Sequence, residues 1–278
     1  MNRRSFLKIA LRTIGGTALA ALGGAKYITV EPRWYKVKTI DLTLPKLPPA
    51  FKGFTITHLT DLHLNDWMTP EYFSEVVDKA NDLESDVIVI TGDFIDGNTP
   101  DWMFPGIVEQ LGALKAEMGV YGTLGNHDHW RSYGLVRGLM AEGGVVDLSN
   151  RIHTFQRGDE NLYLCGLDDY MEKKQDLRAV TDPLPVDACA ILLMHEPDYA
   201  DISAPTQRFS LQLSGHSHGG QIDPPFIDPP VLPLYARKYP RGLYQVGDML
   251  LHTSTGIGVT EPRVRFNCRP EIVQLVLT

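Results

Sequence analysis

The chain is poor in cysteine, has no excess of positive charge, and carries no hydrophobic run of membrane-spanning length. Cys165, Cys189 and Cys268 are its thiols, an odd number without a C-x-x-C pair, which excludes a complete disulfide framework and a cysteine-built zinc site. Cys165 in LYLCGL and Cys189 in ACAILL lie in apolar runs and read as small buried side chains. With 26 Lys and Arg against 34 Asp and Glu, the net charge is −8. That balance argues against a protein that grips polyanion backbones, so nucleic acid is not an expected partner. No repeat or low-complexity tract is visible, and 43% hydrophobic with 22% charged residues describes an ordinary globular domain.

The apolar run nearest the start, Thr13 to Ala25, is short for a membrane span and suits the apolar part of a signal. Arg3, Arg4, Lys8 and Arg12 precede or open it. They cluster at one end without helical period, which disfavours an amphipathic helix lying on a membrane. The opening Arg3-Arg4-Ser5-Phe6-Leu7-Lys8 resembles a twin-arginine export signal, with Asn2 where that signal usually has Ser or Thr; Ala18-Leu19-Ala20 resembles a processing site. The resemblance implies the twin-arginine translocation machinery as partner and export of a folded protein across the plasma membrane. The expected location is periplasmic or on the outer membrane face, with residues 1–26 either removed or kept as an anchor. Residues 27–49, with Pro32, Pro45, Pro48 and Pro49, read as an extended connector that includes an edge strand, VKTIDLTL. Residues 50–278 form the expected single domain.

Five polar clusters organise that domain, and each follows an apolar or β-branched run. Asp61-Leu62-His63 follows FTITHL, Gly92-Asp93 follows VIVIT, Gly125-Asn126-His127-Asp128 follows VYGTL, His195 follows AILLM, and Gly215-His216-Ser217-His218 follows LQLS. Such clusters at strand ends in a layered α/β protein converge on one sheet edge, where these folds place ligands. Alternation predicts that Asp61 and His63, and likewise His216 and His218, leave the same side of extended backbone. A helix is predicted after Thr69-Pro70, with Phe73, Val76, Val77, Ala80 and Leu83 on one face. Further helices are predicted around Ile107, Leu111 and Leu114, and from Ser132 to Glu142. VVDLS, RIHTFQ and NLYLCGL read as a meander of hairpins, and the C-terminal strands are expected to close the second of two facing sheets. Trp102, Met103 and Phe104 lie in a loop and are expected to pack on the body before serving as a lid.

Carboxylates, an amide and imidazoles together suit Mn, Fe or Zn better than an all-oxygen calcium cage. Asp61-x-His63, Gly92-Asp93, Gly125-Asn126-His127-Asp128, His195 and Gly215-His216-x-His218 together resemble the complete signature of the calcineurin-like metallophosphoesterases. The GHSHGGQ segment from Gly215 and VRFNCRPE before Ile272 further resemble its exported YaeI/YkuE-like phosphodiesterase branch. The resemblance implies a four-layer α-β-β-α sandwich and two divalent metal ions per chain. It places Asp61, His63 and His218 on the first ion, Asn126, His195 and His216 on the second, and Asp93 across both. His127 would donate a proton to the leaving oxygen, and Asp128 would fix its ring. Hydrolysis would proceed through metal-activated water. His58, His129, His153 and His252 are expected to be structural, and Asp96, Asp168 and Asp169 stand between turn capping and support of the site.

Pro-rich residues 222–243 follow the last ligands and carry Tyr235, Arg237, Lys238, Tyr239 and Arg241, with Phe226, Val231 and Leu232 as apolar members. They form either a substrate wall for an anionic head group and an acyl part, or a bridging surface loop. The expected function is hydrolysis of a phosphodiester at the cell envelope, on a small molecule or lipid head group, with membrane or cell-wall association. The alternatives are a UDP-2,3-diacylglucosamine-type pyrophosphate hydrolase and a non-catalytic envelope-binding metalloprotein.

Overall fold

Strand Val87–Thr91 shows why the chain layers as it does. All five residues are buried; Val87 and Val89 enter one core, while Ile88 and Ile90 enter another on the opposite face. A strand apolar on both faces must be covered on both. The computed structural model describes residues 27–278, so the expected export signal lies outside the described residues. The strands are β1 (Lys36–Leu42), β2 (Thr55–Leu59), β3 (Val87–Thr91), β4 (Val120–Thr123), β5 (Val145–Asp147), β6 (Arg151–Arg157), β7 (Glu160–Gly166), β8 (Ala190–Leu193), β9 (Leu211–Ser214), β10 (Gly242–Val246), β11 (Met249–Thr253) and β12 (Glu271–Leu277). One six-stranded sheet has the order β1-β12-β2-β3-β4-β5 and the other β10-β11-β9-β8-β7-β6.

The sheets face each other across a core of Ile56, Val89, Leu164, Ile191, Leu213 and Leu275, among others. Helices α1 (Pro70–Asn81), α2 (Phe104–Gly112), α3 (Asn126–Arg131) and α4 (Tyr133–Glu142) are joined later by the short α5 (Leu177–Thr181) and α6 (Ala200–Ser203). Phe73, Val76 and Val77 of α1, Ile107 and Leu111 of α2, and Val136 and Leu139 of α4 cover the outer face of the first sheet. Val180, Tyr199 and Ala200 cover Ala190 and Leu192 on the second. The architecture is thus the expected α-β-β-α sandwich. Helix α1 starts as its sequence predicts: Pro70 occupies the first turn, and Thr69 Oγ1 accepts the N–H of Tyr72 (3.3 Å).

Several expectations need correction. Strand β12 does not close the second sheet; it inserts between β1 and β2 of the first, parallel to β1 and antiparallel to β2. Its alternation fits either sheet, and only the buried pairing partners on both sides decide. Strand β5 leaves the expected meander and pairs parallel with β4, so the hairpin is β6 with β7. Tyr27 to Arg33 take helical turns where an extended connector was expected. Residues 126–131, which gave no separate helical signal, form α3 directly behind Gly125. Met103 is buried while Trp102 is exposed, and neither reaches the cavity described below.

Candidate metal centre

Strands β2, β3 and β4 run parallel, as do β8 and β9, so their carboxyl ends present their following loops at one edge. The chain there turns abruptly. Asp61 (φ +50°), His63 (+45°), Asp93 (+55°), His216 (+64°) and His218 (+49°) all hold left-handed backbones. The expected extended geometry at Asp61-x-His63 and His216-x-His218 is therefore wrong; each pair converges through turns, and His218 opens a 3-10 turn. Left-handed non-glycine residues cost roughly 1–3 kcal/mol each and persist where surrounding contacts over-determine them, commonly at functional sites. Gly92 (φ +86°) has no room for a side chain, since a Cβ there would lie 2.6 Å from His195 Nδ1. The ring of His195 thereby sits directly over the turn that carries Asp93.

The result is three overlapping groups: Asp61, His63 and His218; His63, Asp93 and His127; and Asp93, His195 and His216. Within each, one potential ligand atom per residue lies within 4.8 Å of the others. His63 links the first two groups and Asp93 the last two. Asp93 Oδ2 is 3.2 Å from His195 Nε2 and 3.5 Å from His63 Nε2, while its Oδ1 accepts the backbone N–H of His127 (2.9 Å). The donor set shows what it is built to hold. His63 Nε2 faces His218 Nε2 at 3.0 Å and His195 Nε2 faces His216 Nδ1 at 3.2 Å, pairings of imidazole nitrogens better suited to a shared cation than to each other. Asn126 Oδ1 is buried and has no hydrogen-bond partner, as a metal-directed amide oxygen would be. Six of the seven expected ligands fall in these groups, together with His127, and Asn126 lines the cavity above them; two divalent-cation triads fit the set.

Electrostatics agree with that fit. Burial pulls the His63 ring down, yet the carboxylates of Asp96, Asp93 and Asp61 outweigh it and raise the ring to about 9. On His195, burial is likewise overcome, chiefly by Asp93, and the ring is held well above its usual range. Asp93 is buried but kept well below the usual carboxylate range by His195, His127 and His63. His216 and His218 are pushed down by burial and by neighbouring rings, leaving them neutral and able to ligate. The carboxylates draw positive charge into a site with almost no solvent access.

The surrounding residues fix the ligands. His63 Nδ1 lies 2.6 Å from Asp96 Oδ1, and Asn65 Nδ2 donates to Asp96 Oδ2 at 2.5 Å. His195 Nδ1 lies 2.7 Å from the Thr91 carbonyl, and His216 Nε2 lies 2.9 Å from that of Leu234. Such partners orient ligating rings. The carboxylate beside His127 is also Asp96, whose Oδ1 is 3.0 Å from its Nδ1. Asp128, expected there, turns inward: its Oδ1 accepts the N–H groups of Phe94 and Ile95, and its Oδ2 that of Gly125. It occupies the first turn of α3 and faces back along the chain to cap that turn, which points it away from the ring one residue earlier. Burial raises its carboxyl to about 7.

Arg265 is a residue that sequence reasoning missed. It is fully buried and donates to the carbonyls of Cys268, Thr255, Gly256 and Gly258, so it pins the turn on which Asp61 and His63 rest. An arginine facing a Thr-Gly-Ile-Gly turn in the sequence is the only signal it gave. Of the histidines expected to be structural, His129 pairs with Asp168 (2.7 Å), His153 with Tyr121 (2.9 Å), and His58 with Thr91 (2.8 Å), while His252 faces His58 between the sheets with neither ring nitrogen hydrogen-bonded. Asp169, between Glu196 and the turn at Glu172, is raised to about 9 by burial and by Glu196.

A cavity of about 380 Å³ opens over the ligands, with Asp93, Asn126, His127, His216 and His218 on its floor. Trp130, Met171, Ile222, Val231 and several prolines line its walls. Arg237, Lys238 and Arg241 are not among the lining residues. Arg241 is paired with Asp223 (2.7 Å) and Lys238 with Asp201 (2.7 Å), while Asp198 caps the backbone of Arg237. The expected cationic wall is therefore replaced by an apolar one. Of the apolar members expected, Val231 lines the cavity and Phe226 stands in solvent.

Residues 54–220 match the family described as "Calcineurin-like phosphoesterase"; the chain belongs to this family of metallophosphoesterases. Among its relatives is the "Uncharacterized metallophosphoesterase YkuE" of Bacillus subtilis, 34% identical over 281 residues that span 100% of this chain and 98% of YkuE. "Phosphodiesterase YaeI" of Escherichia coli is 26% identical, over 100% of this chain and 99% of YaeI. Among solved structures, TT1561 of Thermus thermophilus is similar with a TM-score of 0.49 and 11% identity, covering 73% of this chain and 89% of that one.

Proposed function

We propose that the protein is a metal-dependent phosphodiesterase acting on a phosphodiester at the cell envelope. The observation that carries this reading is the Asp93 carboxylate, shared between two ligand groups on the floor of a half-apolar cavity. In this reading Asp61, His63 and His218 would hold one divalent ion and Asn126, His195 and His216 the other, with Asp93 available to either; Mn, Fe and Zn all suit these donors. Bound there, the pair would polarise the phosphoryl oxygens and ready a water for in-line attack.

The chain's own residues supply the rest. His127 lines the cavity and is the group that donates a proton to the departing oxygen, while Asp96 beside its Nδ1 fixes the ring. Asp128 acts as a positioning residue by capping the turn that presents Asn126 and His127. The apolar wall keeps water from the leaving side. Among the described residues that line the cavity there is no Lys or Arg. A second phosphate, as in a UDP-2,3-diacylglucosamine-type substrate, would find no cationic partner there, which favours a single phosphodiester next to an apolar group. The name of the Escherichia coli relative, a phosphodiesterase, supports the same class.

Hydrolysis of bis(p-nitrophenyl) phosphate, p-nitrophenyl phosphate and a pyrophosphate-linked lipid by metal-loaded protein tests the reading. Preference for the diester is expected. Full metal loading with no turnover of any of them would instead establish a non-catalytic metalloprotein. Export by the twin-arginine route is part of the proposal, motivated by Arg3-Arg4-Ser5-Phe6-Leu7-Lys8. An Arg3→Lys, Arg4→Lys variant should stay in the cytosol, folded and active; its appearance outside the plasma membrane contradicts the route.

A further inference from the structure

The loop that walls the cavity is unusual in composition and exposure. From Pro224 to Ala236 the one charged side chain is Asp228, and five residues are proline. Phe226, at the tip with φ +73°, is fully exposed, and Ile227 and Val231 are 65% and 72% exposed. Prolines hold the segment open and remove backbone donors, so these side chains cannot fold inward to hide. A rigid, exposed apolar surface of this kind marks a contact with something apolar.

The surroundings say what that is. The loop springs from a three-segment ladder beside the metal ligands. Ile222 bridges Phe266, Asp223 N–H donates to the Phe266 carbonyl (2.9 Å), and Arg265 N–H donates to the Ile28 carbonyl (3.0 Å). The buried carboxylate of Glu31 then accepts the N–H groups of Asn267 (2.9 Å) and Cys268 (2.7 Å). Residue 27, to which the apolar run at 13–25 is attached in sequence, is thereby fastened on the flank of the cavity from which the loop rises. This arm exposes Tyr27, Val30 and Trp34, and Arg269 lies over the Trp34 ring at 4.1 Å. Aromatic rings with a cationic neighbour belong at the level of lipid head groups.

We propose that this face rests on a lipid bilayer, with Phe226 and Ile227 inserted among the lipids, so that a membrane phosphodiester reaches the metals along the loop. Apolar surface runs from the tip through Pro230, Val231 and Pro233 into the cavity, giving a lipid tail a path that leaves water only at the phosphate. The loop also touches the chemistry, since the Leu234 carbonyl orients the ligand His216. The bilayer contact stands on the surface itself, and only the identity of the substrate as a lipid rests on the phosphodiesterase reading.

The test uses the full, metal-loaded chain and vesicles of phosphatidylethanolamine and phosphatidylglycerol. An environment-sensitive dye on Phe226→Cys should shift to the blue and be quenched by spin-labelled lipid. The same dye on Asp159→Cys, in the hairpin turn at the far end of β6 and β7, should do neither. Equal quenching at both positions, or none at 226, overturns the proposal; so does a concentration-dependent shift at 226 without lipid, which would mean a second copy of the chain covers the loop. In a second arm, Phe226→Asp with Ile227→Asp should lower hydrolysis of a vesicle-borne phosphodiester roughly tenfold while sparing bis(p-nitrophenyl) phosphate. An equal effect on both substrates removes the proposed lipid path. Absence of turnover on either substrate by the unmodified protein would sink the phosphodiesterase reading, and the dye result would still decide the membrane contact.

Discussion

The ligand cradle and the Pro-rich loop stand within a few residues of each other and differ in nearly every physical respect. In the cradle Asp61, His63, Asp93, Asn126 and His195 are buried, the backbones of Asp61, His63 and Asp93 are left-handed, and the polar atoms answer one another or point at a common centre. Along the loop, apolar side chains stand in solvent, and Lys238 and Arg241 at its end are paired with Asp201 and Asp223. The first region is over-determined and serves chemistry that tolerates little displacement. The second is tied to the first where the Leu234 carbonyl meets His216, while its exposed tip is free to differ, as suits a surface that selects a substrate.

The comparison breaks most decisively at Asp93. Asp93→Asn should empty both metal positions and reduce turnover by more than the roughly 100-fold typical of an outer-sphere partner; elemental analysis and a diester assay check it, and retention of both metals would remove Asp93 from its bridging place. His127→Asn is expected to keep its metals and lose about 10²- to 10⁴-fold in kcat, less for a diester whose leaving group needs little protonation. Since a ring nitrogen of His127 also lies within reach of His63 and Asp93, loss of metal in this variant would make it a ligand. Asp96→Asn should cost about 10- to 100-fold and reproduce the leaving-group dependence of His127→Asn, because it frees that ring and the ring of His63. Asp128→Asn should show as lowered stability instead, measured by thermal unfolding. The smallest effect belongs to the loop's cations: Arg237→Ala with Arg241→Ala should change kcat/KM by about twofold or less, as for exposed ion pairs. A large loss confined to an envelope substrate would restore the cationic wall.

Legibility followed the same division. The ligands were readable because each polar cluster sits behind an apolar strand, and the strand ends share an edge whatever the detailed backbone. The conformation at Asp61 and His216 was not, since positive φ in a non-glycine residue is imposed by tertiary contacts. The partner of His127 was misassigned to its neighbour Asp128 when the carboxylate came from Asp96, on the turn after β3. Sequence adjacency misleads at a helix start, where a first-turn acid caps its own backbone. The placement of β12 and β5 depended on pairings across long sequence separations, for which alternation alone has no preference. Loop residues 222–243 carried cations and apolar groups in one string, and only the fold could sort Lys238 and Arg241 onto Asp201 and Asp223 and Val231 onto the cavity rim.

The central claim is a two-cation site built around one shared carboxylate. Its most direct measurement is elemental analysis of the full chain reconstituted with Mn, Fe or Zn and freed of excess metal, run in parallel with turnover of bis(p-nitrophenyl) phosphate. The account predicts two ions per chain and activity that rises with the second. Saturation at one ion per chain with full activity would contradict it.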